Sequence, residues 1–221
     1  MAVITTKRLA TSEKILDSAE ALFAESSYDA VSLRHITKHA GVELALPNYY
    51  FGTKLGLFKS VIERRSTILN RERIAALKSL PISAPIESII IAFTEPFLRR
   101  TISGEAGWKN YARLIAQTAN SPKWSEEIMS LEFDPVALEF ICQVKTCFPF
   151  TNDENIFWGF HFLLGAMTIT FAQTGRIDIL SDGLCKASDL VGIHRRMVPF
   201  LSAGFISICE PPIREERFLK G

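Results

Sequence analysis

Apolar residues in this chain recur at intervals of three and four, and no stretch alternates apolar and polar residues over the length of a strand. Ile15, Ala19 and Phe23, for example, share one face of a helix that we predict from about residue 11 to residue 27. An interval of 3.6 residues is the period of an α-helix, whereas a half-buried strand needs a period of two. The pattern therefore predicts an all-α fold.

Short helices are predicted between residues 32 and 51, with a long helix after them. Ser32 has the residue type and position of an N-cap for a helix that ends at about Ala40. Gly41 then makes a tight turn, a third short helix runs to about Phe51, and Thr53 caps a fourth helix that continues to about residue 80. Two short helices around a glycine turn are typical of a helix-turn-helix, whose second helix enters the DNA major groove.

Longer and more apolar helices follow Pro81 and Pro85. We therefore predict two domains, a DNA-binding domain at residues 1–56 and a larger helical domain at residues 57–221. The apolar run at residues 156–172 is barely long enough to span a membrane and contains His161, so we interpret it as a core or interface helix. No membrane partner is expected.

Local signals predict the bounds of the later helices. Thr151 has the spacing of a capping box at the start of the apolar helix, and Gly175 is predicted to end that helix. Pro96, Pro135 and Pro199 lie within helical patterns, where we expect kinks or breaks.

Charge limits where a nucleic acid could bind. The chain has 25 basic and 24 acidic residues, so any DNA-binding surface must be local. Residues 31–65 carry six basic side chains and two acidic ones, a local charge of +4 (6 − 2). The basic ones are Arg34, Lys38, Lys54, Lys59, Arg64 and Arg65, and the acidic ones are Glu43 and Glu63. The positive charge is therefore concentrated at the predicted helix-turn-helix.

The four cysteines, Cys142, Cys147, Cys185 and Cys209, have no paired spacing, and the N-terminus has no apolar leader. We therefore expect a reduced, cytoplasmic protein. No metal or cofactor motif is present, and no cofactor is expected.

The base-reading residues follow from the rotation of the third helix. If Pro47 and Phe51 face the core, about 100° per residue turns the neighbouring positions away from it. Those positions are Ala45, Leu46, Asn48 and Tyr49. Asn48 can bond an adenine edge, the apolar residues can contact thymine methyls, and tyrosine hydroxyls can reach phosphates. Tyr49, Tyr50 and Phe51 could instead all be core aromatics. We favour that interpretation for Phe51 and surface contact for Tyr49.

The segment KILDSAEALFAESSYDAVSLRHITKHAGVELALPNYYFGTKLGLF, residues 14–58, resembles the N-terminal DNA-binding domain of the tetracycline-repressor (TetR) family of bacterial transcriptional regulators. The resemblance implies homodimers on palindromic operators, with a helical C-terminal domain that holds an inducing ligand and supplies the dimer interface. NYYFGTK is similar to the NYHFGSK of a subgroup, some of whose members respond to fatty acyl or other hydrophobic compounds.

The family's DNA contacts carry over to nine positions of this sequence. They are Ser32, Arg34, Leu44, Ala45, Leu46, Asn48, Tyr49, Tyr50 and Lys54, with Leu44 to Tyr50 assigned to the third helix. Two departures from the family pattern matter. Pro47 replaces an aliphatic residue and predicts a late start or a bend. Leu55 and Gly56 replace the usual acidic and small residues, and Gly56 predicts a first turn of the fourth helix that is weaker by up to about 1 kcal/mol.

Aromatic residues of the second domain indicate the chemistry of an effector, which we expect to be small and hydrophobic and oriented by few polar groups. The candidate contacts are Phe93, Phe97, Trp108, Tyr111, Phe140, Trp158 and Phe162, with the polar residues Asn110, Arg113, Gln117 and His161. Each aromatic residue alone could equally belong to the core.

Two late helices are expected to form the dimer interface, as the resemblance implies. Small residues on one and apolar residues at helical spacing on the other would let partner helices approach. The candidates are Gly159, Gly165, Ala166, Val198, Leu201 and Phe205.

Other functions stay open at this point. An enzyme is an alternative, although no nucleophile elbow, phosphate-binding glycine loop or HExxH is present. His161 is expected to be a core histidine, and His35 and His39 lie four apart without a third ligand, so we interpret them as solvated. An architectural DNA-binding protein without effector control would leave the second domain unexplained.

Overall fold

The computed structural model describes residues 2–103 and 106–210, and their side chains from residue 8 onward except at residue 106. This part of the chain contains ten α-helices and no strand, which confirms the predicted all-α fold. The helices are α1 Ala2–Glu25, α2 Leu33–Ala40, α3 Leu46–Phe51, α4 Lys54–Lys78, α5 Ile86–Ile102, α6 Ala106–Ala119, α7 Leu131–Cys147, α8 Asp153–Ala172, α9 Arg176–Leu180 and α10 Leu190–Cys209. Tyr28–Ala30 and Pro122–Trp124 are 3₁₀ turns, and Ser125–Ser130 is π-helical.

The chain forms two compact units. Unit 1 contains the residues up to Asn70 and Arg99–Asp134, and unit 2 contains Arg71–Leu98 and the residues from Pro135 onward. The domain boundary at residue 56 that the sequence predicts does not coincide with a boundary between these units, and a functional division there stays a prediction.

The core of unit 1 forms around α1, which contacts α2, α3 and α6. Ile15, Ala19 and Phe23 are fully buried, as their shared helical face predicts. The helix begins at Ala2, well before the predicted start. Residues 3–6 are all β-branched, and their low helix propensity conceals this first turn in the sequence.

Two predicted N-caps are confirmed. The hydroxyl of Ser32 accepts a hydrogen bond from the backbone N–H of His35 at 3.2 Å, and that of Thr53 accepts one from Gly56 at 2.9 Å. Gly56 also allows a close approach, because a Cβ at this position would collide with the carbonyl oxygen of Phe51. The helix propensity of glycine predicts only a loss of stability at Gly56. It does not include this close approach to Phe51, which a larger residue would prevent.

Helix α8 has other ends than those predicted. Its N-cap is Asn152 rather than Thr151, and the Asn152 side chain accepts from the N–H of Asn155 at 2.9 Å. Asn is a stronger N-cap than Thr, and the hydrogen bond of the Asn152 side chain sets the start of the helix. The helix ends at Ala172, where Gln173 adopts a left-handed conformation with φ 46°, so Gly175 lies beyond the helix.

Helices α5, α7 and α10 continue through Pro96, Pro135 and Pro199, so breaks are absent there, while kinks stay a prediction. A proline removes one backbone hydrogen bond of a helix. Each of the three helices nevertheless continues past its proline, and Pro96 itself is buried.

Aromatic rings fill the core of unit 2, where α8 and α10 pack against each other. The Phe140 ring centroid lies 5.0 Å from that of Phe93 and 6.0 Å from that of Phe205. In the described residues one helix, α8, is long and apolar enough to cross a membrane by length and composition alone. This is weak evidence, because core and interface helices pass the same test.

Candidate nucleic-acid interface and effector domain

Gly41 makes the turn between α2 and α3. Its φ of 65° and ψ of 39° lie in the left-handed region, which costs a non-glycine residue about 1–2 kcal/mol. The N–H of Val42 then donates to the carbonyl of Thr37 at 3.0 Å, which closes α2. Since α2 and α3 contact each other and α1, the segment forms the predicted helix-turn-helix.

Pro47 decides where α3 begins. The helix starts at Leu46, so Pro47 occupies the first turn, where its missing N–H costs no hydrogen bond. The prediction that Leu44 and Ala45 lie within the third helix is therefore wrong. Leu44 belongs to the preceding turn, and Ala45 is the N-cap. The late start that Pro47 predicted is confirmed.

Most of the predicted DNA contacts are accessible. Ser32, Arg34, Leu44, Ala45, Asn48 and Tyr49 are exposed, and Leu46, Tyr50 and Lys54 are half-buried. The rotation of α3 is confirmed for Pro47, which is buried, and for Tyr49, which is 63% exposed. Phe51 is half-buried, so it faces the core less completely than predicted. Contact of these residues with DNA stays a prediction.

Lys54 lies over an aromatic ring. Its Nζ is 4.2 Å from the ring centroid of Tyr28, and the Nζ of Lys123 is 4.9 Å from the same centroid. Burial lowers the pKa of Lys54 below its ordinary value, and Asp29 opposes this effect. The ammonium is therefore held at the start of α4 rather than extended into solvent.

Half of the basic residues counted in the sequence are neutralised within unit 1. The Glu20 carboxylate, only 1% exposed, accepts from Arg64 at 2.9 Å and from Arg65 at 2.6 and 3.0 Å. Burial lowers the pKa of Arg64, but the charge of Glu20 and hydrogen bonds to carboxylates raise it by more. The pKa of Arg64 therefore lies above its ordinary value. Lys59 pairs with Glu127 at 3.6 Å. The local charge available to DNA is therefore smaller than the sequence indicates.

Two exposed cations of α2 keep their charge available, because no carboxylate in the described residues pairs with Arg34 or Lys38. A third, Arg8 of α1, was missed in the sequence. Its guanidinium carbon lies 5.1 Å from the ring centroid of Tyr49 and 5.9 Å from that of Tyr50. Arg8 is about forty residues from α3 in the chain, and only the packing of α1 on α3 brings them together.

The predicted effector contacts fall into buried and accessible groups. The buried members are Phe93, Phe97 and Phe140 in unit 2 and Trp108 and Tyr111 in unit 1. The half-buried or exposed members are Asn110, Arg113 and Gln117 in unit 1 and Trp158, His161 and Phe162 in unit 2. Gln117 donates to the carbonyl of Ala24 at 3.1 Å. A role of all these residues in effector binding stays a prediction.

The interpretation of His161 as a core histidine is wrong, since its ring is exposed on α8. The ring centroid lies 5.6 Å from that of Trp158, which in turn lies 6.1 Å from that of Phe162. Helix α8 is apolar on all sides, so its sequence does not indicate which face is buried. His35 and His39 are exposed, as predicted.

Unit 2 has an open cavity of about 750 Å³ at the C-terminal half of α8, the segment after it and α10. Ile169, Met197 and Phe200 form apolar parts of its wall, and Lys186 adds a charge. Of the candidate residues only Ala166, which was assigned to the dimer interface, lines this cavity.

Arg73 is a buried cation in unit 2 that the sequence analysis missed. It is 4% exposed, its Nε donates to the carbonyl of Phe93 at 2.8 Å, and its guanidinium carbon lies 4.3 Å from the Phe93 ring centroid. The signal was the four-residue spacing from Leu69 and Leu77, both buried, which puts Arg73 on the inner face of α4.

The predicted dimer residues lie mostly inside one subunit. Val198, Leu201 and Phe205 are buried on α10. A Cβ on Gly159 would collide with the Phe205 ring of the same chain, so the helix that Gly159 admits is the subunit's own α10. Gly165 has open space at its Cα. These residues were chosen as contacts with a partner helix, whereas Val198, Leu201, Phe205 and Gly159 are buried within one subunit. Their part in a dimer stays a prediction.

Several solved structures have folds similar to that of this chain. A TetR-like transcriptional regulator from Rhodococcus sp. RHA1 has a TM-score of 0.62 at 14% identity, with 91% of this chain and 97% of that chain covered. The fatty acid degradation regulator FadR from Bacillus halodurans has a TM-score of 0.60 at 13% identity, covering 88% and 95%. FadR from Bacillus subtilis in complex with stearoyl-CoA has 0.58 at 15%, covering 87% and 98%. At these identities the likeness shows the fold.

Comparison with sequence models of protein families identifies the family, which the likeness to these structures does not. Residues 15–61 match the model described as bacterial regulatory proteins of the tetR family, and residues 91–204 match that of the tetracyclin repressor-like C-terminal domain. No curated protein sequence matches the chain significantly. The first match contains the helix-turn-helix, and the second covers more than half of the chain. The chain therefore belongs to the TetR family of ligand-responsive, DNA-binding transcriptional regulators.

Proposed function

We propose that the protein is a dimeric repressor, which leaves a palindromic operator when a small hydrophobic effector binds. The observation that supports this best is the solvent-facing side of α3, where Asn48 and Tyr49 are exposed. The neighbouring α2 adds Arg34 and Lys38, whose charges are not paired with any described carboxylate. A polar reading surface beside available cations suits a DNA groove and its phosphates.

Each side chain has a role set by its chemistry. Asn48 pairs with an adenine edge, and Leu44 and Ala45 contact thymine methyls. The Tyr49 hydroxyl and the start of α4, where Lys54 lies beside the first backbone N–H groups of the helix, bind phosphates.

Asn48→Ala is expected to weaken binding to the preferred duplex by about 1–3 kcal/mol, the value of one bidentate base contact. Because the side chain is exposed, thermal unfolding should not change. The wild-type protein would first select its duplex from randomised DNA, and fluorescence anisotropy would then compare the variants. Asn120→Ala, the same change at an exposed residue after α6, is the matched control. Equal affinities of the two variants would contradict the assigned role of Asn48.

A dimer is required because six residues of α3 read too few bases alone. We propose that the partner packs on the exposed apolar side of α8 and α10. Its members are Phe157, Trp158, Phe162, Leu164, Ile169, Val191, Phe200 and Ile206. The buried set, including Leu201 and Phe205, would support this surface from within.

The effector is proposed to be apolar with one anionic group at most. The aromatic core of unit 2 supports the apolar part. A relative of the same fold was solved with stearoyl-CoA. An effector must favour the state that does not bind DNA, since equal affinity for both states shifts nothing.

A thermal-shift screen of fatty acids, acyl-CoA esters, aromatic acids and polar metabolites tests the effector class. A ligand at 100 times its Kd should stabilise the folded protein by about 2.7 kcal/mol. We expect the fatty or aromatic acids, which carry a single charge, to raise Tm and to release the selected duplex. If only highly charged polar metabolites do both, the hydrophobic-effector proposal is wrong, and if none releases DNA, an architectural role replaces it.

We propose no catalytic activity, because the family consists of transcriptional regulators. The protein is proposed to act in the cytoplasm, where its DNA is.

A further inference from the structure

A cation from α1 reaches the exposed side of the recognition helix. Arg8 is exposed, and its guanidinium lies across Tyr49 and Tyr50 at 5.1 and 5.9 Å from their ring centroids. The two rings meet edge to face at 5.1 Å. The charge of Arg8 is therefore added to the surface that carries the predicted base and phosphate contacts.

The surroundings of Arg8 leave its charge available. A guanidinium over an exposed ring is held only weakly, and no hydrogen bond within the described residues occupies the N–H groups at its edge. No carboxylate in the described part of the chain pairs with Arg8, whereas Glu20 holds both Arg64 and Arg65. A planar guanidinium with free N–H groups is suited to bind phosphate in a bidentate manner.

We propose that Arg8 is a DNA-phosphate contact, positioned by the tyrosine rings of α3. Through Arg8, helix α1 becomes part of the DNA-binding surface, although α1 does not belong to the helix-turn-helix. The proposal rests on the proposed function, because it requires α3 to face DNA.

The salt dependence of binding tests this contact. Each phosphate contact contributes about 0.9 to the slope of log K against log salt, so Arg8→Gln should flatten the slope of a dimer by about 1.8. Arg8→Lys keeps the charge and should keep the slope. Anisotropy titrations at several salt concentrations would use the selected duplex and a random duplex. Arg8→Gln should weaken both by a similar factor, because phosphates carry no sequence information.

Lys14→Gln is the matched control, since Lys14 is an exposed cation of α1 six residues further along and on another face. An equal change of slope in both variants would mean a net-charge effect and overturn the Arg8 proposal. An unchanged slope in Arg8→Gln, or a loss on the selected duplex only, would overturn it too while leaving the proposed function intact. If the unaltered protein binds no duplex, both proposals fail.

Discussion

Glu20→Gln is expected to destabilise unit 1 by about 3–5 kcal/mol, because it removes the charge that compensates two largely buried guanidinium groups. The carboxylate is 1% exposed and accepts three hydrogen bonds from Arg64 and Arg65. Helix α6 also approaches this site at Gly107, where a Cβ would collide with the Arg65 guanidinium. The substitution therefore disturbs the packing of α1, α4 and α6 together.

Urea unfolding monitored by tryptophan fluorescence measures this loss. Trp108 and Trp124 are 1% and 6% exposed in unit 1, so their emission should shift when the unit opens. Glu13→Gln is the control, because Glu13 bonds the same Arg64 at 3.0 Å but its side chain is 57% exposed. An exposed pair contributes about 0–1 kcal/mol. If the two variants unfold at the same urea concentration, Glu20 does not hold the unit together.

Leu201→Glu is expected to destabilise the fold and Phe200→Glu to prevent dimerisation, although the two residues are adjacent on α10. Leu201 is 5% exposed, so its substitution should cost more than the about 2–5 kcal/mol of a Leu→Ala truncation. The buried carboxylate adds to this cost. Phe200 is 75% exposed, and a charge there should leave the fold intact while it repels a partner subunit.

Sedimentation and thermal unfolding together separate the two results. We expect Phe200→Glu to sediment as a folded monomer and Leu201→Glu to unfold at a much lower temperature. A folded dimer of Phe200→Glu would place the dimer interface on another surface. A stable, folded Leu201→Glu monomer would instead mean that Leu201 contacts the partner subunit directly.

The helix-turn-helix could be derived from the sequence because its signals are local. The Ser32 and Thr53 caps and the turn at Gly41 involve residues within five positions of each other. Such hydrogen bonds depend on few competing partners, so residue type and spacing predict them well. Residue type and spacing did not predict the first residue of α3, because it depends on how Pro47 fits into the first turn.

The buried face of α8 could not be derived, because this helix is apolar on all sides. Its contact with α10 buries Gly159 and leaves Trp158 and His161 exposed. Arg73 shows the same limit, since a cation between apolar residues on α4 is buried where the carbonyl and ring of Phe93 meet it.

The sequence by itself determined the helical class, the helix-turn-helix and the family to which it belongs. Only the tertiary structure decided which charges remain available to DNA. Glu20 is separated from Arg64 by 44 residues and withdraws its charge, while Arg8 reaches the tyrosines of α3 from another helix. Ion pairs and cation–ring contacts between distant residues depend on how helices pack, and helical periodicity does not contain that information.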